Sequence, residues 1–261
     1  MTTTQDSGSS RFSVALARTE AEVQEAQALR YDVFAQECGA QLSAASHQRD
    51  VDRFDAYCSH LLVRDNHSGR VVGTYRLLEP HKAFRHGGFY VETEFDVSRL
   101  QTILPRTVEI GRSCVHPDYR RGAVMTLLWG GLAQFVLERG YEYVMGCASA
   151  PFTDDRAAAR ATTRLLLDNH LSPEHWRVVP YRPFTVGPMG LPSATDVDGS
   201  VSLPPLIKGY LRIGAAVCGS PAHDPLFKTI DFLMLLPMAA MTARYARHYT
   251  GSAAASLPRA A

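Results

Sequence analysis

The stretch Glu109-Ile110-Gly111-Arg112 puts a carboxylate and a guanidinium three residues apart in an otherwise apolar, strand-like run. A carboxylate there can take a proton from a bound nucleophile or anchor a cation, and a guanidinium can hold a carboxylate. In a regular strand, residues three apart point to opposite faces, so the pair would diverge. Gly111 permits a bulge that returns both to one face. A bulged strand also splays from its neighbour, which would open a cleft in the sheet.

The next residues, Val115-His116-Pro117-Asp118-Tyr119-Arg120-Arg121-Gly122-Ala123, join that strand to an apolar helix. Gly122 is expected to let the backbone turn tightly. The N–H groups of the helix's first turn, with the positive end of the helix dipole behind them, then form an anion site suited to a phosphate. Arg120 and Arg121 add charge. For the turn alone, an ordinary connection with solvated arginines is an equally good reading.

These groups need elements to hold them. A first helix is expected to start with Thr19 as N-cap and Glu22 as its capping-box partner. Val23, Ala26, Leu29, Val33 and Phe34 follow at helical spacing, and Gly39 is a stop. Residues 40–57 read as polar and irregular. Residues 60–64 and 70–78 read as a hairpin about the turn 65–69. A strand over 107–115, a helix over 123–139 and a strand over 141–147 complete a β-β-β-α-β order, an α/β arrangement. Further expectations are a helix over 154–169, a long loop over 187–204, strands over 206–213 and 229–236, and a basic amphipathic helix over 238–249. By this reading residues 1–10 are a disordered tail, 11–237 the domain, and 238–261 the terminal helix and a small-residue tail.

The strand, the V-x-P-x-x-R-R-G turn and the helix resemble the central motif of the GNAT N-acyltransferases. The resemblance implies a mixed central sheet flanked by helices, and a turn (Val115, Arg120, Arg121, Gly122, Ala123) that holds the phosphate or pantetheine of an acyl carrier. Tyr119 replaces the first Arg or Gln of that motif, and Val124 its second small residue. Both departures disfavour a pyrophosphate and favour a carrier with a single phosphodiester over coenzyme A.

A second pattern is more specific. Arg30-x-x-x-Phe34, Asp52-x-x-Asp55, Arg76-Leu77-Leu78 and Glu109-x-x-Arg112 are similar to the acyl-homoserine-lactone synthases and to the related L-ornithine N-alpha-acyltransferases. The segment Pro204-Pro205-Leu206-Ile207-Lys208-Gly209-Tyr210-Leu211-Arg212, followed by Cys218-Gly219, Asp224, Phe227 and Asp231, resembles the second family. The resemblance implies transfer of a 3-hydroxyacyl chain from acyl carrier protein to the α-amine of ornithine, by aminolysis of a thioester, with no bound cofactor; the ten histidines show no ligand spacing such as H-E-x-x-H, so no metal is expected. It implies Glu109 as general base. Arg112, Arg30 and Arg76 then bind the acceptor's carboxylate or lock Asp52 and Asp55, with Phe34 beside them; a purely structural ion-pair network is the alternative. Asp224 and Asp231 are the candidates for ornithine's second ammonium. Tyr143 and Tyr210 are possible acids for the leaving thiolate, although a core or cleft-wall role is the simpler reading. Glycine, glutamine or an S-adenosylmethionine-derived lactone are the alternative acceptor chemistries.

Composition narrows the field. Lys plus Arg is 27 against 26 Asp plus Glu, which speaks against a nucleic-acid partner bound by bulk charge. Five widely spaced cysteines without C-x-x-C fit a reducing compartment rather than a disulfide framework or a zinc site. The N-terminus lacks an apolar signal core, and no apolar run is long enough to span a bilayer, so a cytoplasmic protein is expected. Met238, Met241, Tyr245 and Tyr249 on one face and Arg244, Arg247 and His248 as charge would let the last helix rest on an anionic inner-membrane face. A non-catalytic, membrane-active protein of haemolysin type is the rival from another class; the intact Glu109, Arg112 and basic turn favour an enzyme.

Overall fold

Strand β1 (Phe12–Leu16) leads into helix α1 (Glu20–Tyr31). Thr19 Oγ1 accepts the Glu22 N–H at 3.2 Å, and the Glu22 carboxylate accepts the Thr19 N–H at 3.1 Å, the expected capping box. The helix widens into a π-type turn (Asp32–Glu37), and Gly39 follows with φ 72°. The protein is described by a computed structural model over residues 10–42, 47–152, 156–184 and 202–241.

Strands β2 (Ser59–Asp65) and β3 (Val71–Leu78) form the expected hairpin. Helix α2 (Pro80–Arg85) and a short strand β4 (Phe95–Asp96) precede β5 (Thr107–Val115). Helix α3 (Val124–Glu138), β6 (Tyr143–Pro151), α4 (Arg156–Asn169), β7 (Val179–Pro180), α5 (Pro205–Ile213), β8 (Ala216–Val217), β9 (Ala222–Asp224) and β10 (Thr229–Pro237) complete the order. The main sheet runs β1-β2-β3-β5-β6-β10-β8, with β9 also on β10, and β4 pairs with β7 apart from it. Every pair in the main sheet is antiparallel except β5–β6, which is parallel with α3 as the crossover between them. The expected mixed sheet flanked by helices is the one observed.

Period-two alternation along β2 sets the two layers. Leu62 packs with Ala26 and Leu29 of α1, while Leu61 and Val63 pack with Val124 and Leu128 of α3 on the opposite face. A third group, including Phe89, Val91, Phe95, Leu100 and Leu104 from the segment between α2 and β5, covers Met145, Leu233 and Leu235.

One strand expectation is overturned. Residues 206–213 lie in a helix, because Pro205 occupies its first turn, Ile207, Tyr210 and Ile213 bury one face, and Gly214 ends it with φ 106°. That is a helical signal, and its apolar content was misread as a strand. Strand β1 was not anticipated. The loop 187–204 falls outside the described residues except for 202–204. Of the terminal helix, Met238–Ala240 form one 3-10 turn, and 242–249 lie outside the described residues. Among the described residues no helix is long and apolar enough to cross a membrane.

Candidate active site

The site begins with a register shift. Thr74 of β3 lies opposite Cys114 of β5, but Arg76 lies opposite Gly111, so β5 carries one extra residue. The strained residue is Arg112, at φ 47°, and not the glycine beside it. Glu109 and Arg112 consequently line one cavity of about 170 Å³. On its other side β5 pairs with β6 only through Glu109, opposite Met145. At the next residue the strands still touch: a Cβ on Gly146 would overlap the Ile110 carbonyl. Beyond it, Ile110, Gly111, Arg112 and Ser113 of β5 and Cys147 and Ser149 of β6 line the cavity. This is the cleft expected from a bulged, splayed strand.

Glu109 is buried, 4% exposed. Its two carboxylate oxygens accept the backbone N–H groups of Tyr90 (2.7 Å) and Val91 (2.8 Å). Burial pushes its carboxyl up to about 7, against the opposing pull of those N–H groups and of Arg76. A carboxyl so placed exchanges a proton near neutrality.

Behind the cavity stands a lattice of charge. Arg30, fully buried, donates to Asp50 Oδ2 (2.8 Å) and to both Asp55 oxygens (3.0 and 2.8 Å). Burial alone would raise the Asp55 carboxyl, but Arg30 and Arg76 outweigh it and hold it down to about 2. Arg76 donates to Asp52 at 2.6 Å and to Asp55 at 3.3 Å. Arg112 reaches Asp52 at 3.2 Å and Asp50 at 3.3 Å, with its guanidinium over the Phe227 and Tyr90 rings. Of the arginines read from the sequence, Arg76 and Arg112 face the cavity and Arg30 does not. Phe34 lines the cavity with its ring edge against Phe227, whereas Asp55 is locked behind it.

Asp224 and Asp231 line the same cavity, and a third carboxylate, Glu94, joins them; their oxygens lie within 4.8 Å of one another. Glu94 accepts the Tyr90 hydroxyl at 2.7 Å and the Cys147 thiol at 3.6 Å. Burial, with Asp231 nearby, raises the Glu94 carboxyl to about 8; burial, with Asp224 nearby, raises Asp231 to about 6. Three carboxylates gathered this closely form a place for a cation, whether an ammonium or a metal ion. Asp52, Glu94, Arg112 and Asp224 also line an outer cavity of about 310 Å³, so Arg112 and Asp224 stand between the two spaces. Glu94 and Tyr90 were missed in the sequence. Their only signal was a carboxylate set inside the aromatic run Phe89-Tyr90-Val91-Glu92-Thr93-Glu94-Phe95.

At the turn, Val115 is buried and Arg121, Gly122 and Ala123 are exposed ahead of α3. No side chain caps that helix start, which leaves its first-turn N–H groups to other partners. Arg120 is held by a forked pair to Glu37 (2.6 and 2.6 Å) and donates to the Val115 carbonyl at 3.1 Å. The expected role of Gly122 does not hold: its φ is not positive, and a Cβ there would come no closer than 3.7 Å to the Tyr119 carbonyl. Tyr143 packs edge-on against Trp176 at the border of the core, a packing role. An apolar cavity between α3, α5 and the sheet, lined by Trp129, Leu132, Val136, Met145 and Met234 among others, meets the first at Ile110 and Tyr210.

An acetyltransferase (GNAT) domain matches residues 29–130, from α1 through the bulged strand into α3. The fold is similar to that of the acyl-homoserine-lactone synthase LasI, with TM-score 0.53 over 93% of this chain and 96% of that one at 14% identity, a likeness of fold alone. Bulged strand, buried carboxylate and GNAT match together define an acyltransferase of the GNAT class, one that joins an acyl donor to an amine acceptor. The chain is 40% identical over 250 residues to the L-ornithine N(alpha)-acyltransferase of Rhizobium meliloti, covering 91% of this chain and 84% of the relative. It is 38% identical to that of Agrobacterium fabrum, covering 91% and 85%. The chain belongs to the L-ornithine N(alpha)-acyltransferase family.

Proposed function

We propose that this protein transfers a 3-hydroxyacyl chain from acyl carrier protein to the α-amine of L-ornithine. The observation that carries the reading is the grouping around one cavity: a carboxyl raised to about 7, two guanidinium groups, and Asp224 and Asp231, with Glu94 completing the trio from the outer cavity. An α-amino acid with a second ammonium asks for that set. Arg112, with Arg76, takes the α-carboxylate, Glu109 faces the α-amine, and Asp224, Asp231 and Glu94 hold the side-chain ammonium. A neutral acceptor such as glutamine would leave the trio without a cation, which is why ornithine is preferred here over the neutral rivals.

In the reaction the α-ammonium gives a proton to Glu109, directly or through one water, and the freed amine attacks the thioester carbonyl. Backbone N–H groups on the diverging strand stabilise the oxyanion in this reading. Collapse expels the carrier's thiolate, which takes up the second proton of the attacking nitrogen and leaves as a thiol, and an amide remains. The acyl chain runs into the apolar cavity beyond Ile110 and Tyr210. The carrier's acidic surface docks at Arg121 and the α3 N-terminus, with Arg120 recruited from Glu37. An amphiphilic product suits release at an anionic membrane face, with residues 242–261 as the contact, since Met238 is buried in the core and Met241 packs against it.

Expression in a bacterial host devoid of ornithine lipid, followed by lipid extraction and mass spectrometry, tests the reading. Accumulation of 3-hydroxyacyl-ornithine is expected. An extract in which only another acylated amino acid or a lactone appears would overturn it.

A further inference from the structure

Two tyrosines meet where the polar cavity gives way to the apolar one. Tyr75 of β3 and Tyr210 of α5 lie 135 positions apart in sequence, and their hydroxyls are 2.5 Å apart. Tyr75 is fully buried and Tyr210 is 9% exposed. Both line the polar cavity, and Tyr210 with Ile110 also lines the apolar one. One hydrogen bond joins the two hydroxyls, and either oxygen can donate it. A phenol can donate once and accept besides, so the pair keeps capacity to spare, and Tyr210 carries its share at a position that lines both cavities.

The position of Tyr210 is tightly set. Its ring stacks on Trp129, with centroids 5.8 Å apart and planes 2° from parallel. A Cβ on the neighbouring Gly209 would come within 2.5 Å of the Trp129 ring, so only glycine there lets α5 approach. Burial keeps both phenols protonated through the physiological range. A hydroxyl pair in an apolar wall needs a reason, because polar groups in such places are costly unless partnered.

We propose that the Tyr75–Tyr210 pair reads the 3-hydroxyl of the acyl chain, with Tyr210 making the hydrogen bond and Tyr75 positioning it. This rests on the reading of the protein as an acyltransferase given above. With the thioester carbonyl beside Glu109 and the chain in the apolar cavity, the carbons just beyond the carbonyl pass the junction at Ile110 and Tyr210. A hydroxyl on the third carbon meets a phenol there, and it can donate or accept as the orientation of the pair requires. An unsubstituted chain places a methylene against the phenol. Because the pair satisfies itself when no ligand hydroxyl is present, discrimination is moderate, about 10-fold or somewhat more, rather than the far larger factors of sites left wholly unpaired.

The test compares kcat/KM for ornithine acylation from matched 3-hydroxyhexadecanoyl- and hexadecanoyl-acyl carrier protein, in wild type, Tyr210→Phe and Tyr75→Phe. Wild type is expected to favour the hydroxylated chain by about 10-fold, Tyr210→Phe to bring the ratio near one, and Tyr75→Phe to fall between. A wild-type ratio near one, or a ratio unmoved by both substitutions, overturns the proposal. Wild type that acylates ornithine from neither donor overturns the transferase reading itself, and the proposal with it. Calorimetric binding of non-reactive thioether analogues of the two chains to wild type gives the same contrast without relying on a variant that folds. Equal affinities there also overturn the proposal.

Discussion

Glu109 and Arg112 face one cavity because β5 carries an extra residue between the positions opposite Thr74 and Arg76. Without it, the base and the guanidinium would lie on opposite faces of the sheet. The same irregularity ends the β5–β6 ladder at Glu109 and leaves room for a ligand between two strands. The backbone defect and the site are thus one feature.

If Glu109 takes the proton, Glu109→Gln lowers kcat by about 100-fold. For wild type, kcat at saturating ornithine, where the carboxylate trio already holds its cation, should climb with pH and level off above about 7, since only the ionised carboxylate accepts a proton; the variant should lose that inflection. Because both oxygens accept N–H groups from Tyr90 and Val91, an amide leaves one of them facing a donor, and a stability loss of about 1–3 kcal/mol is expected as well. A pH profile unchanged in the variant would assign Glu109 to that structural role alone.

Arg30 makes a purely structural prediction. Arg30→Met leaves Asp50 and Asp55 buried without their main partner and should cost about 3–5 kcal/mol in urea unfolding at pH 7. The folded-state carboxyl of Asp55 is depressed to about 2, so its contribution of about 2 kcal/mol is full above the ordinary aspartate range, near pH 4, and is lost as pH falls toward 2. The gap between wild type and variant should therefore narrow in acid; a gap that is constant from pH 7 to pH 3 contradicts the lattice described here.

Much of this lattice was legible in the sequence, though not the division of labour within it. The arginines, Asp52 and Asp55 were identifiable by type and order and Asp50 was not, and only the fold shows that Arg30 and Asp55 sit behind the cavity while Arg76 and Arg112 front it. Gly111 signalled a bulge correctly, yet the strain fell on Arg112. Glu94 could not be read because its partners, Asp224 and Asp231, are more than a hundred residues away and reach it through β9 and β10. Helix α5 carried clear end signals in Pro205 and Gly214, and its apolar content masked them.

The carboxylate trio predicts acceptor choice. Asp224→Asn, Asp231→Asn and Glu94→Gln should each raise the KM for ornithine about 10-fold or more, with smaller effects on any glutamine or glycine acylation, in a competition assay read by mass spectrometry. Glu94 and Asp231 carry raised carboxyls, about 8 and about 6, so ornithine should bind better as pH rises across that interval. Variants that leave the acceptor ratio untouched would remove the trio from acceptor binding.

The basic turn predicts carrier docking. Arg121→Ala should raise the KM for acyl carrier protein more than Arg120→Ala does, since Arg120 is engaged with Glu37. Both effects should shrink as salt rises, because exposed charges are screened over about 10 Å at 0.1 M. Equal losses with a short pantetheine thioester, which has no carrier surface, would argue against docking at this turn.

The most direct measurement combines purified protein, 3-hydroxyacyl-acyl carrier protein and L-ornithine, with product and freed thiol quantified together and the site of acylation located by fragmentation mass spectrometry. One thiol per amide is expected, with the acyl group on the α-nitrogen and the δ-amine unmodified. Acylation at the δ-nitrogen, or thiol release with only free fatty acid formed, would contradict the placement of Glu109 beside the α-amine and of the carboxylate trio around the side-chain ammonium.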